Sequence, residues 1–180
     1  MVRMPSLFVS HGAPTLAIED GAAHRFLKCL STMLPRPRAI LVISAHFDAP
    51  QATLTAGERP ETIHDFRGFP EQLNRIVYAA PGAPAVARQA ADLLSAAGID
   101  CRLDGGRGLD HGAWVPLVLA YPAADIPVIQ LSIREAAGPA HHLRLGAALR
   151  PLRDKGVLIL GSGGATHNLR ELFGGGFSHD

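Results

Sequence analysis

Residues 39–46 read Ala-Ile-Leu-Val-Ile-Ser-Ala-His, an apolar run rich in β-branched residues that leads into a histidine. The run lacks the polar–apolar alternation of a half-exposed strand, and this is typical of a parallel-sheet strand covered on both faces. Residues 7–10, 126–131 and 157–160 are short runs of the same kind. We therefore predict that residues 39–44 and these three runs are strands of one largely parallel sheet.

Helical patterns occupy the chain between these runs. They cover residues 21–33, 83–97 and 140–152, and Gly98 is placed to end the second of them. A shorter helix is expected at 69–77. Because strands and helices alternate, the predicted fold class is α/β, a single domain with a largely parallel central sheet flanked by helices.

The length of the chain, 180 residues, is sufficient for one core. We assign residues 1–173 to one domain and the glycine-rich residues 174–180 to a flexible tail. Residues 50–70 are polar and long for a simple connection, which indicates a functional loop with a short strand at 52–55.

The composition argues against several kinds of partner. The formal net charge is +1 and the basic residues are scattered, so nothing favours binding to nucleic acid. No run approaches the roughly 20 apolar residues of a membrane helix, and the N-terminus does not read as a signal peptide. We therefore expect a cytoplasmic protein with no membrane partner.

Several of the nine histidines lie where predicted strands end. His11 follows the first strand, His46 follows the second, and His167 comes just after the fourth. The carboxyl ends of parallel strands meet at one edge of a sheet, and imidazole is a common ligand of Fe(II) and Zn(II). This pattern predicts a metal site that uses His11 and His46. The alternative is that each ring caps a strand end by bonding to the backbone.

Two neighbouring pairs, His64-Asp65 and Asp110-His111, combine an imidazole with a carboxylate. A carboxylate can orient a histidine ring and fix its tautomer, although neighbours in sequence often point apart. Ordinary loop chemistry explains each pair equally well. Trp114, the single tryptophan, suits either an aromatic pocket or the core.

Seven blocks spread over almost the whole chain resemble the DODA-type (4,5-DOPA extradiol dioxygenase-like) branch of the class III extradiol ring-opening dioxygenases. In chain order the blocks are FVSHGAP at 8–14, LPRP at 34–37 leading to SAHF at 44–47, TIHDFRGFP at 62–70, APGAP at 80–84, LDHGAW at 109–114, IPVIQLS at 126–132 and THNL at 166–169. No single block is decisive, but a chance match to all of them in family order is very improbable.

The resemblance implies roles for individual residues. His11 and His46 match metal ligands, and His167 matches a histidine beside the metal that is either a ligand or the acid–base for the catechol proton. His111 matches a second catalytic histidine that contacts substrate or oxygen. Near these we place His64, Asp65, Asp110 and Trp114 as residues that line the substrate pocket or support the site.

The reaction implied is the opening of a catechol ring next to its hydroxyl groups, with a small-molecule catechol and O2 as partners. Fe(II) suits this reaction because it shares electrons with oxygen, whereas Zn(II) is an alternative bound metal. The sequence does not identify the catechol. A zinc hydrolase is a weaker alternative, since no HExxH motif is present.

The family pattern continues beyond residue 180 with a further histidine block, so we expect an incomplete version of the family domain. One alternative is that His167, His179 or Asp180 completes the coordination, from this or another subunit. Alternatives to an active enzyme are a non-catalytic binding protein or an inactive truncated form on the same scaffold. A domain that lacks packing elements exposes an apolar face, which favours a homo-oligomer.

Overall fold

Strand and helix alternate along residues 2–164, the part of the chain that the computed structural model describes. The strands are β1 (Ser6–Ser10), β2 (Ala39–Asp48), β3 (Ala52–Thr55), β4 (Cys101–Asp104), β5 (Val128–Ile133) and β6 (Val157–Gly163). The α-helices are α1 (Ala22–Met33), α2 (Pro84–Ala96), α3 (His111–Ala120) and α4 (Gly138–Leu149). Short 3₁₀ turns include Glu71–Arg75 and Arg150–Lys155.

One six-stranded sheet holds the strands in the order β1-β6-β2-β5-β3-β4. Every pairing is parallel except that of β3 with β5. β3 starts after only residues 49–51, a connection too short for the crossover that a parallel strand would need, so it runs back from the edge where β2 ends. The predicted α/β class with a largely parallel sheet is confirmed.

The sheet separates two apolar clusters, which explains why β2 is apolar on both faces. Ile40 and Val42 point into the cluster under α1 and α3, here called the α1/α3 face. Ala39 and Leu41 point into the cluster under α2 and α4, the α2/α4 face. These four side chains are at most 1% exposed. A strand buried in this way cannot show alternation, because neither face meets water.

The predicted strands and long helices are found with ends shifted by up to four residues, and residues 52–55 form β3. The helix expected at 69–77 is only the turn Glu71–Arg75. Two elements were not predicted. β4 is a four-residue edge strand with charged side chains, and α3 is apolar all round with Pro116 inside it. Neither has the periodicity by which a strand or helix is recognised.

One prediction about a histidine is wrong in position. His46 does not follow its strand but lies within it, because β2 continues to Asp48. The pairing with β5 shifts register between Ile43 and Asp48, and this irregularity lets the strand carry polar residues past the core. The predicted tail at 174–180 and His167 lie outside the described residues. No helix among residues 2–164 is long and apolar enough to cross a membrane.

The double-sided burial of β2 makes a stability prediction. Leu41→Ala should lower the free energy of unfolding by about 2–5 kcal/mol, because Leu41 is fully buried and its removal leaves a cavity. Leu143→Ala on α4 is the matched control, since Leu143 is 75% exposed and should change stability by less than about 0.5 kcal/mol. Urea denaturation measures both, and equal effects would contradict the described burial.

Candidate metal centre

Three imidazoles from distant parts of the chain meet at the carboxyl edge of the sheet. His11 follows β1, His46 lies in β2 and His111 is the first residue of α3. One ring nitrogen from each lies within 4.8 Å of the others. His11 and His111 are buried, with 1% and 6% of their surface exposed. The grouping of His11 with His46 is the one expected from the strand ends.

The spacing of these nitrogens fits a shared transition metal ion. Nε2 of His11 and Nε2 of His46 are 3.0 Å apart. Two nitrogens bound at right angles to one ion, each at about 2.0–2.1 Å, would be about 2.9 Å apart. Neutral imidazoles are ligands suited to Fe(II) and Zn(II), so the chemistry of the donors fits as well.

A chain of hydrogen bonds fixes the tautomer of His11. Nδ1 of His11 lies 2.9 Å from Oγ of Ser162, and that hydroxyl donates to the carbonyl of Gly112 at 2.5 Å. The Gly112 carbonyl lacks its usual helical donor four residues on, because Pro116 has no N–H. Since the hydroxyl proton goes to Gly112, Nδ1 of His11 must donate to Ser162. Nε2 of His11 then keeps the lone pair that a metal requires.

Asp65 fixes His111 in a similar way. Oδ1 of Asp65 accepts from the backbone N–H of His111 at 3.1 Å and from its Nδ1 at 2.7 Å. Partial burial raises the pKa of Asp65, but the hydrogen bonds from His111 outweigh burial and hold the pKa below its usual value. Asp65 is therefore an anion at neutral pH. In the neutral ring, donation from Nδ1 to Asp65 leaves the lone pair on Nε2 of His111, where it can accept a proton or bind a metal.

Asp110 anchors the start of α3 and does not orient the neighbouring imidazole. Its Oδ1 caps the helix by accepting from the backbone of Ala113, and its Oδ2 accepts from Nε2 of Gln130 at 2.8 Å and from Arg107. Gln130 in turn accepts from the backbone N–H of Asp110. The carboxylate that orients His111 is therefore Asp65, from the other sequence pair, and not the adjacent Asp110.

His64 and Trp114 hold the loop that carries Asp65. Nε2 of His64 donates to the carbonyl of Ile76 at 3.0 Å, and Nε1 of Trp114 donates to the carbonyl of Ile63 at 2.9 Å. The two rings lie 5.7 Å apart, and Trp114 is fully buried. Both side chains therefore anchor this loop, and they support the grouped imidazoles through Asp65.

Sequence reasoning missed Phe66 and Ser162. Phe66 lies edge-on to His111, with the ring centres 5.8 Å apart, and contacts Phe69 on the same loop. It is positioned to form an aromatic wall beside the imidazoles. The signal for Phe66 was its place directly after His64-Asp65. Ser162 was visible only as one small residue in a glycine-rich strand end.

The start of α3 packs tightly against β2 at Gly112. A Cβ on Gly112 would overlap with Oγ of Ser44 and would stand 3.1 Å from Cδ2 of His46. Only glycine permits this approach, and it brings His111 beside His46, with ring centres 3.9 Å apart.

Comparison with known proteins gives an independent view of the chain. Residues 5–175 match the sequence model of a family described as the catalytic LigB subunit of aromatic ring-opening dioxygenase. A protein of Beta vulgaris named 4,5-DOPA dioxygenase extradiol is 49% identical over 90% of this chain and 62% of its own length. A protein of the same name from Escherichia coli K12 is 46% identical over 94% of this chain and 62% of its own length.

Solved structures agree with the fold. The crystal structure of an uncharacterized protein from Escherichia coli K12 matches with a TM-score of 0.76 at 40% identity, over 93% of this chain and 63% of that one. This chain therefore spans less than two thirds of the length of these relatives.

The packing at Gly112 can be tested with a matched pair of glycine substitutions. Gly112→Ala should destabilise the protein by about 1–3 kcal/mol, because the added methyl group pushes α3 away from β2. Gly146→Ala on α4 is the control, since a Cβ there meets nothing within 4 Å and the helix gains from alanine by up to about 1 kcal/mol. Urea denaturation measures both variants. A Gly112→Ala protein as stable as the wild type would contradict the described contact.

Proposed function

Because this chain belongs to the LigB family of aromatic ring-opening dioxygenases, we propose that it is a metal-dependent extradiol dioxygenase that opens a catechol-type ring with O2. The observation that supports this most strongly is the convergence of His11, His46 and His111 at one sheet edge. The names of the relatives from Beta vulgaris and Escherichia coli support the same class of substrate.

We assign the metal to His11 and His46, with His167 as the further ligand or acid–base expected from the sequence. Fe(II) is the proposed ion, because it would supply the electron exchange with catechol and O2 that ring opening needs. Zn(II) fits the same nitrogens but lacks this redox chemistry. The Ser162–Gly112 chain holds His11 in the tautomer that binding requires.

His111 is the proposed acid–base residue of this site. A catechol loses a hydroxyl proton when it binds, and Nε2 of His111 is able to take it because Nδ1 is committed to Asp65. The Asp65 anion stabilises the imidazolium that results, and the imidazolium can return the proton during ring opening. Phe66 would pack against the aromatic ring of the substrate. The cytoplasmic location and the homo-oligomer stay predictions.

The metal ligands are tested by substitution of one grouped histidine. The wild-type chain, loaded with Fe(II) without oxygen and mixed with DOPA or caffeate, should consume O2 and form a yellow ring-opened semialdehyde on aeration. His46→Ala should bind iron at least ten times more weakly and lose both signals, since one of the proposed ligands is gone. His24→Ala is the matched control, because His24 lies on α1, outside the group, and its Nδ1 donates to the Leu16 carbonyl.

Two outcomes of that experiment would count against the proposal. If His46→Ala bound iron as tightly as the wild type, the assignment of the metal to His11 and His46 would be refuted. Tight iron binding by the wild type without oxygen uptake would refute catalysis by this chain and favour the non-catalytic binding protein.

A separate prediction concerns proton transfer. His111→Ala should keep iron but lower kcat by about 10²–10⁴-fold, the usual contribution of a general acid–base residue. Asp65→Asn should lower kcat by about 10–100-fold, because an amide holds the ring less firmly and does not stabilise its charge. Asp92→Asn on the exposed side of α2 is the control and should leave kcat unchanged. Oxygen-electrode rates and iron analysis decide this, and loss of iron from His111→Ala would reassign that residue as a ligand.

A further inference from the structure

A cleft of about 430 Å³ opens on the α2/α4 face, away from the grouped imidazoles. Its walls come from residues 97–100 after α2, from residues 51–52 at the start of β3, from Arg134 beyond β5, and from His141 and Arg144 on α4. The sheet lies between this cleft and the α1/α3 face, where α3 carries His111. The cleft is therefore a different site from the candidate metal centre.

The arginines of this cleft form no salt bridge with any residue in the described part of the chain. Among residues 2–164, several arginines are paired with aspartates, such as Arg25 with Asp20 and Arg36 with Asp125. Neither Arg134 nor Arg144 has a carboxylate within 4.0 Å in that part of the chain. Among the described residues that line the cleft, Asp100 supplies the one carboxylate, against two arginines and a histidine.

His141 adds an unsatisfied polar atom to the same wall. Its Nε2 is buried and has no hydrogen-bond partner among the described residues. The adjacent His142, in contrast, is fully engaged, since it donates from Nδ1 to the carbonyl of Gly138 and accepts at Nε2 from the backbone N–H of Arg134. Desolvation, and then the nearby His142, Arg144 and Arg134, hold the pKa of His141 below its usual value.

We propose that this cleft binds the phosphate or carboxylate group of a small metabolite. Two guanidinium groups supply planar, forked donors that match an oxyanion, and the neutral His141 ring with its proton on Nε2 would supply a third donor. The cavity lies within the roughly 300–1,000 Å³ typical of small-molecule sites, so it accommodates more than a lone ion.

The test is an NMR titration of the full chain with inorganic phosphate and, separately, with acetate. Binding is followed at the backbone amides of Gly98, Ile99 and Arg134, so that an anion at the metal centre is not counted. Saturable shifts are expected at these amides. Arg134→Gln and Arg144→Gln should each weaken binding about tenfold or more, as expected for loss of a charge-assisted hydrogen bond. Arg88→Gln is the control, because Arg88 is exposed on α2 and does not line the cleft.

The outcomes separate the two sources of the oxyanion. Arginine-dependent binding of phosphate alone assigns the site to phosphorylated metabolites, and binding of acetate alone assigns it to carboxylates. The proposal is overturned if neither anion produces saturable chemical-shift changes at these amides. It is also overturned if Arg88→Gln weakens binding as much as Arg144→Gln does. Both arginines are exposed, so their substitution should leave the fold intact, which the unchanged remainder of the spectrum would show.

Discussion

The geometry of the candidate centre depends on the two hydrogen bonds made by the hydroxyl of Ser162. This hydroxyl receives Nδ1–H of His11 after β1 and donates to the Gly112 carbonyl at the start of α3, while its own backbone belongs to β6. Three separate elements are thereby fixed by one side chain. The arrangement requires Pro116, because a residue with an N–H there would compete for the Gly112 carbonyl.

The position of α3 is set by two further constraints. The buried carboxylate of Asp110 caps the helix and is held by Gln130 on β5, so the helix start is tied to the middle of the sheet. Gly112 allows this start to approach β2 more closely than any other residue would. Together they put His111 beside His46 and within reach of Asp65, which arrives on the loop after β3. The positions of the three imidazoles thus depend on the packing of α3 against β2 as much as on where the strands end.

The sequence predicted the elements whose pattern comes from burial by the sheet. The continuous apolar runs are strands because both faces of the sheet are covered, and the run at 39–46 identified β2 and His46 together. α3 was missed because it is buried on all sides and so has no polar face to reveal a helical period. The partner of His111 was not predictable either, since Asp65 is brought to it by tertiary contact across 46 positions, while the adjacent Asp110 turns toward Gln130.

The account rests on a metal ion shared by His11 and His46, and anomalous diffraction from crystals of the iron-loaded chain tests this most directly. We predict one anomalous peak about 2.0–2.3 Å from Nε2 of both His11 and His46. Were the peak found away from these two nitrogens, or were the crystals free of iron with the two rings still bonded to each other, the account would be contradicted.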